Sequence, residues 1–155
     1  MIAADSSVVI DLLTGSQSNE VSSLKTHLRA ATAMLAPVTL TELLSDPKGR
    51  DPTHPILTEF ILLPITDGYW ERAGVLRAKV RKAGRKAALG DALIAQACID
   101  ADVPLLTRDA DFAAFAKLGG LRRAETFRST IACLISAIAL AGFSPFGNTW
   151  AQFMM

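Results

Sequence analysis

The chain has 155 residues, half of them apolar and a fifth charged, with a net charge of +1. That length supports one domain with its own core, and that composition excludes a disordered or fibrous chain. Near neutrality excludes any argument for a partner from total charge, so only the distribution of charge can speak.

Met1 to Ala4 is a short apolar stretch that ends at Asp5. Ser6 and Ser7 are suited to cap a short helix through Leu13, which Gly15 closes. A second helical pattern runs from Asn19 to Ala33. Met34 to Val38 reads as a strand, and Leu40 to Leu44 as a short helix that stops before Asp46-Pro47. Pro55 to Leu62 reads as helical, and Leu63 to Ile65 as extended through Pro64. From Gly68 to Ala83 the positions Ala73, Leu76, Val80 and Ala83 recur at helical spacing, and Gly84 interrupts them. Leu89 to Ala101 is a helix, Pro104 to Thr107 a strand, and Ala110 to Leu118 a helix closed by Gly119-Gly120. Leu121 to Phe127 has the composition of a last strand. Short apolar strands alternating with helices imply an α/β fold with a parallel sheet covered on both faces.

Residues 129–155 differ from the rest. They carry no charge, and their apolar run from Ile131 to Phe143 is shorter than the roughly 20 residues a membrane-spanning helix needs. The expected organisation is a domain over 1–128 followed by this tail. The tail is expected to pack or pair with another chain rather than to associate with a membrane. The opening MIAADSSVV has no basic n-region, so no signal peptide is expected. Cys98 and Cys133 stand in apolar runs without a CxxC, as buried thiols of a cytoplasmic protein do. His27 and His54 are isolated and make poor metal-ligand candidates.

Four acids fall on one edge of such a sheet. Asp5 and Asp109 follow strands, Glu42 starts the short helix just after the second strand, and Asp91 opens the helix DALIAQACIDA. In a parallel α/β sheet this edge is where sites form. Taken singly, each acid has an ordinary role as a helix cap or first-turn charge. Taken together, four converging carboxylates repel one another unless cations intervene. Oxygen ligands of this kind suit Mg²⁺ or Mn²⁺ and metal-assisted phosphodiester hydrolysis. In PLLTRDADF, Asp109 reads as the ligand, and Asp111 as a cap of the next helix or a support acting through water. Two other classes fit less well. A phosphotransfer enzyme wants an acid two residues after its nucleophilic aspartate, and position 7 is serine. A catalytically silent protein could use the acidic pocket to receive a basic partner segment.

The stretches MIAADSSVVIDLL, TLTELLS, GDALIAQACIDADVPLLTRDADFAAF and GGL resemble the signature blocks of PIN-domain ribonucleases, over about residues 1 to 125. The match is nearest to VapC-type toxins of bacterial toxin–antitoxin modules. The resemblance implies a PIN-like three-layer sandwich and an endoribonuclease that uses Mg²⁺ or Mn²⁺. It also implies a cognate antitoxin and a homodimer. Position by position, Asp5, Glu42, Asp91 and Asp109 match the acidic quartet. Asp111 matches a further acid of the last block and joins Asp5, Asp91 and Asp109 as a metal-ligand candidate. Thr107 matches the hydroxyl residue of that block, and Ser6 is a second supporting candidate. The charge-free tail departs from the family pattern.

Seven basic residues and no acid lie between Arg72 and Lys86. Arg77, Arg81 and Arg85 are spaced four apart, as on one flank of a helix. That flank is either a solvated face or a contact for RNA phosphate. Tyr69 and Trp70 are candidates either for stacking a base or for core packing.

Overall fold

The computed structural model describes residues 1–45 and 55–124. The boundary at Asp46-Pro47, His54, the end of the Leu121–Phe127 stretch, and the tail 129–155 with Cys133 lie outside the described residues.

Four short strands form one parallel sheet: β1 (Ile2–Ala4), β2 (Ala33–Leu35), β3 (Ile61–Leu62) and β4 (Leu105–Leu106), in the order β3-β2-β1-β4. The helices are α1 (Ser6–Leu13), α2 (Asn19–Arg29), α3 (Pro37–Leu44), α4 (Tyr69–Lys82), α5 (Leu89–Asp100) and α6 (Phe112–Gly119). Successive strand side chains point to opposite faces. Accordingly, Ala3, Met34 and Leu105 join a core built with α4, α5 and α6. Ile2, Ala4, Ala33, Leu35 and Leu106 join a second core built with α1 and α2. The result is the expected three-layer α/β sandwich. Each core is apolar and closed. Phe115 is fully buried, and removing a buried phenyl ring of this kind costs about 3–5 kcal/mol.

The element types follow the sequence pattern, with four corrections. The second strand spans Ala33–Leu35 and not Met34–Val38, because Pro37 starts α3 at once: its fixed φ suits the first helical turn. Asp5, not Ser6 or Ser7, caps α1, its carboxylate accepting the Val8 N–H. A charged acceptor satisfies the helix terminus better than a hydroxyl does. Pro55–Glu59 is a single 3-10 turn, and Ile61–Leu62, expected to be helical, pairs as β3. There the sheet overrides local periodicity, with Leu63 N–H donating to Leu35 O at 2.8 Å. Of the last stretch, the described part makes one parallel bridge, Leu105 to Arg123.

Helices α4 and α5 are bound tightly to each other. The Tyr69 hydroxyl donates to Leu93 O at 2.8 Å. Arg72 grips both oxygens of Asp100 at 3.1 and 2.7 Å, the two-pronged geometry that guanidinium favours. That pair holds the Asp100 carboxyl below its usual range. Gly119 lets α6 approach α4, because a Cβ there would lie 2.3 Å from Leu76 Cδ1. Among the described residues no helix is long and apolar enough to cross a membrane.

Candidate functional site at the strand ends

The chain runs from β1 outward to β2 and β3 on one side, then returns to β4 on the other side of β1. The crevice between β1 and β4 is therefore the switch point where parallel sheets bind ligands. Asp5 leaves β1 there and Thr107 leaves β4. Asp5 N–H donates to Leu106 O at 3.2 Å, which fixes the two strand ends side by side.

Asp5 is buried, at 3% exposure, yet it is well supplied with donors. Its Oδ1 accepts the Ser7 hydroxyl at 2.7 Å and the Val8 N–H at 3.1 Å. Its Oδ2 accepts the Thr107 hydroxyl. Thr107 Oγ1 accepts the Asp109 N–H at 2.9 Å, and Asp109 Oδ1 accepts the Asp111 N–H at 2.8 Å. Asp111 Oδ2 lies 3.1 Å from Lys86 Nζ. A continuous chain of contacts thus runs from the buried Asp5 to the exposed Lys86. Arg108, between its members, is anchored to Asp11 of α1 at 2.6 Å.

Asp91 enters from α5. It occupies the third helical position and reaches back to the N–H of the cap residue Ala88, which is one half of a capping box. Burial pushes its carboxyl above the usual range, and the charges of Asp109 and Asp111 push it further. The Ala88 N–H and Lys86 offset part of this. Asp91, Asp109, Asp111 and Lys86 therefore share one electrostatic neighbourhood. Lys86 is held protonated, first by its bond to Asp111 and then by the fields of Asp111, Asp109 and Asp91.

Glu42, expected to start its helix, lies instead in the last turn of α3, because that helix already begins at Pro37, and it meets α5 at Gly90. A Cβ on Gly90 would stand 2.7 Å from Glu42 Oε1, so the carboxylate lies against the first turn of α5. Cys98 is buried, and its thiol is pushed up to about 12 by burial and by Asp5, so it is inert as a nucleophile.

The donor set fits a hard divalent cation. Every candidate ligand is a carboxylate oxygen. Asp5 has about four acceptor sites, of which three are used. Among the described residues no three His, Cys, Asp or Glu side chains converge on a single point. That differs from a tight quartet. Mg²⁺ in general keeps several waters and needs only one or two carboxylates.

Other expectations are redistributed. Thr107 supports Asp5 as expected, but the second supporting hydroxyl belongs to Ser7 and not to Ser6. Asp109 both belongs to the edge and caps the turn through Asp111 N–H. Asp111 stands at the start of α6 without a capping bond from its side chain, which is paired with Lys86. Arg85 is not on the helix flank with Arg77 and Arg81, because α4 ends at Lys82 and Gly84 turns with φ +71°. Arg77 Nε donates to Ala87 O at 3.0 Å and ties α4 to the segment before α5. Tyr69 is a core residue and Trp70 is exposed. Sequence reasoning missed Ser7 and Gly90 as site residues, and it counted Lys86 with the basic run of α4, which ends at Lys82. The Asp-x-Ser spacing and the Gly-Asp pair at a helix start were the available signals.

A family model described as PIN domain matches residues 2–118. No curated protein matches the chain. Among solved structures the chain is similar to VapBC2 from Rickettsia felis, bound to a DNA fragment from its promoter. That likeness has a TM-score of 0.65 at 17% identity, over 80% of this chain and 98% of the other. It is also similar to FitAcB from Neisseria gonorrhoeae, with TM-score 0.64, 19% identity and coverage of 81% and 97%. A toxin–antitoxin complex from Klebsiella pneumoniae matches with TM-score 0.58, 23% identity and coverage of 78% and 95%. At these identities the likeness establishes the fold.

Proposed function

This chain belongs to the PIN-domain family, and on that premise we propose that it is a metal-dependent endoribonuclease, the toxin of a toxin–antitoxin pair. The observation that carries the reading is the hydrogen-bonded run Asp5–Thr107–Asp109 at the switch point, with Asp91 in the same field. The carboxylates of Asp5, Asp91 and Asp109 would hold Mg²⁺ or Mn²⁺, some of them only through its waters, with Asp111 and Glu42 at the margin. When bound, the ion supplies charge stabilisation at the phosphoryl group and a more acidic water. The protein's own part is orientation. Ser7, Val8 N–H and Thr107 fix the rotamer of Asp5. Thr107 also sets the turn that presents Asp109, and the Ala88 N–H holds Asp91 in place.

The Klebsiella neighbour is a toxin–antitoxin complex, which supports a protein partner for this chain. A partner that lays a basic side chain among these carboxylates would silence the edge by charge. A homodimer, as the resemblance implies, is part of the same reading. The test is cleavage of single-stranded RNA with Mn²⁺, with EDTA, and by Asp5→Asn. EDTA and the substitution should each lower the rate by about 100-fold or more, the range seen when one transition-state contact is lost. Expression alone should arrest growth, and a neighbouring antitoxin should relieve it. Undiminished cleavage in EDTA would overturn the reading.

A further inference from the structure

A groove of about 550 Å³ lies between α6 and the turn that joins α4 to α5. Its wall carries Arg85, Lys86 and Lys117 against a single acid, Asp111. The rest of the wall is alanine and glycine, with Leu118. Asp111 is also the outer end of the Asp5–Thr107–Asp109 run, so the groove opens directly from the acidic edge.

We propose that this groove holds the sugar-phosphate backbone of the RNA strand on one side of the cleaved bond, with Arg85, Lys86 and Lys117 as its cationic contacts. The inference rests on the nuclease reading above and adds where the strand lies. Three features support it. The excess of positive charge suits an anion, and a polyanion threaded past an acidic edge needs such a partner next to it. The wall has no aromatic ring and few side-chain acceptors, so it can grip phosphate but cannot stack or read bases. Lys86 already touches Asp111 at 3.1 Å, which places one of the three cations at the junction of groove and edge. The flank of α4 is a weaker candidate. Arg77 has its Nε committed to Ala87 O, and neither Arg77 nor Arg81 lines the groove.

The test is binding of a fluorescein-labelled single-stranded RNA to the full chain carrying Asp91→Asn, across a salt series. Arg85 and Lys117 are exposed, so their replacement leaves the cores untouched. Arg85→Ala with Lys117→Ala should weaken binding about tenfold and reduce the salt slope by about 1.4, or 0.7 per lost phosphate contact. Arg29→Ala on α2, in the opposite layer, should change neither. In the otherwise unaltered enzyme the same pair should raise KM about tenfold with kcat within about twofold, the mark of lost uniform binding. Lys117→Gln alone should give a smaller shift in the same direction. If the enzyme cleaves RNA while the paired variant keeps its KM and salt slope, the groove assignment is overturned and the nuclease reading stands. Loss of binding on neutralising Arg77 and Arg81 instead would place the strand on α4 and likewise overturn it. Failure of the unaltered chain to cleave any RNA would remove both.

Discussion

Gly90 stands where a methyl group would collide with Glu42 Oε1. The obstacle is the far end of a flexible side chain, so Gly90→Ala should fold, and alanine favours a helix over glycine by about 1 kcal/mol. What it displaces is the Glu42 carboxylate. Cleavage should therefore fall by about 10–100-fold, the range for disturbed supporting groups at metal sites, with melting temperature unchanged or raised. Full activity in the folded variant would remove Glu42 from the edge. The places of Asp5 and Asp109 after strands and of Asp91 in a first helical turn were legible in the sequence, whereas that of Glu42 was not, because Pro37 starts α3 earlier than the pattern suggests and leaves Glu42 in its last turn. Nor was Ser7 legible, because the choice between Ser6 and Ser7 depends on the first turn of α1, and both residues are serine. Lys86 was hidden in a basic run whose helical spacing pointed along α4. The break at Gly84 turns it instead toward Asp111.

The α4–α5 pair is the element on which the placement of Asp91 depends. Tyr69 joins its two helices through Leu93 O, and burial together with the Asp100 charge pushes its hydroxyl up to about 12. It is the one tyrosine in the chain, so its titration can be followed directly by phenolate absorbance. The midpoint should lie near 12 rather than at the ordinary value of 10.0. The folded value is raised. The stability tied to this group is therefore full below 10.0 and is lost as pH rises toward about 12. A midpoint at the ordinary value would mean that α4 and α5 open in solution. Amphipathic spacing made α4 readable, and the apolar run made α5 readable. The 3-10 turn and β3 were not readable, since a two-residue strand has no period of its own. Only its pairing with β2 defines it.

At the scale of the whole molecule, a half-buried carboxylate set among other acids is a cost to the fold, one that a bound cation would offset. Asp91 shows the sign. Its folded carboxyl is raised, so the stability it lends is present below 3.8 and is lost as pH rises through the folded value. At neutral pH, without metal, Asp91→Asn should therefore melt higher than the unaltered chain, and the gap should open as pH climbs from about 4. Mn²⁺ should raise the melting temperature of the unaltered chain, by the equivalent of about 2.7 kcal/mol at a hundredfold excess over its dissociation constant. The Asp91→Asn chain should respond much less. Equal Mn²⁺ shifts in the two chains would show that Asp91 holds no ion. Asp5 and Thr107, the first link of the edge, are 102 residues apart in sequence. A ribosome adding about 5–20 residues per second needs about 5–20 s to deliver the second after the first. During that interval the emerging chain has its leading aspartate and nothing to complete it. The first link of the edge can therefore form only after about two thirds of the chain has been made, so the site is assembled late although its first residue is among the earliest to emerge.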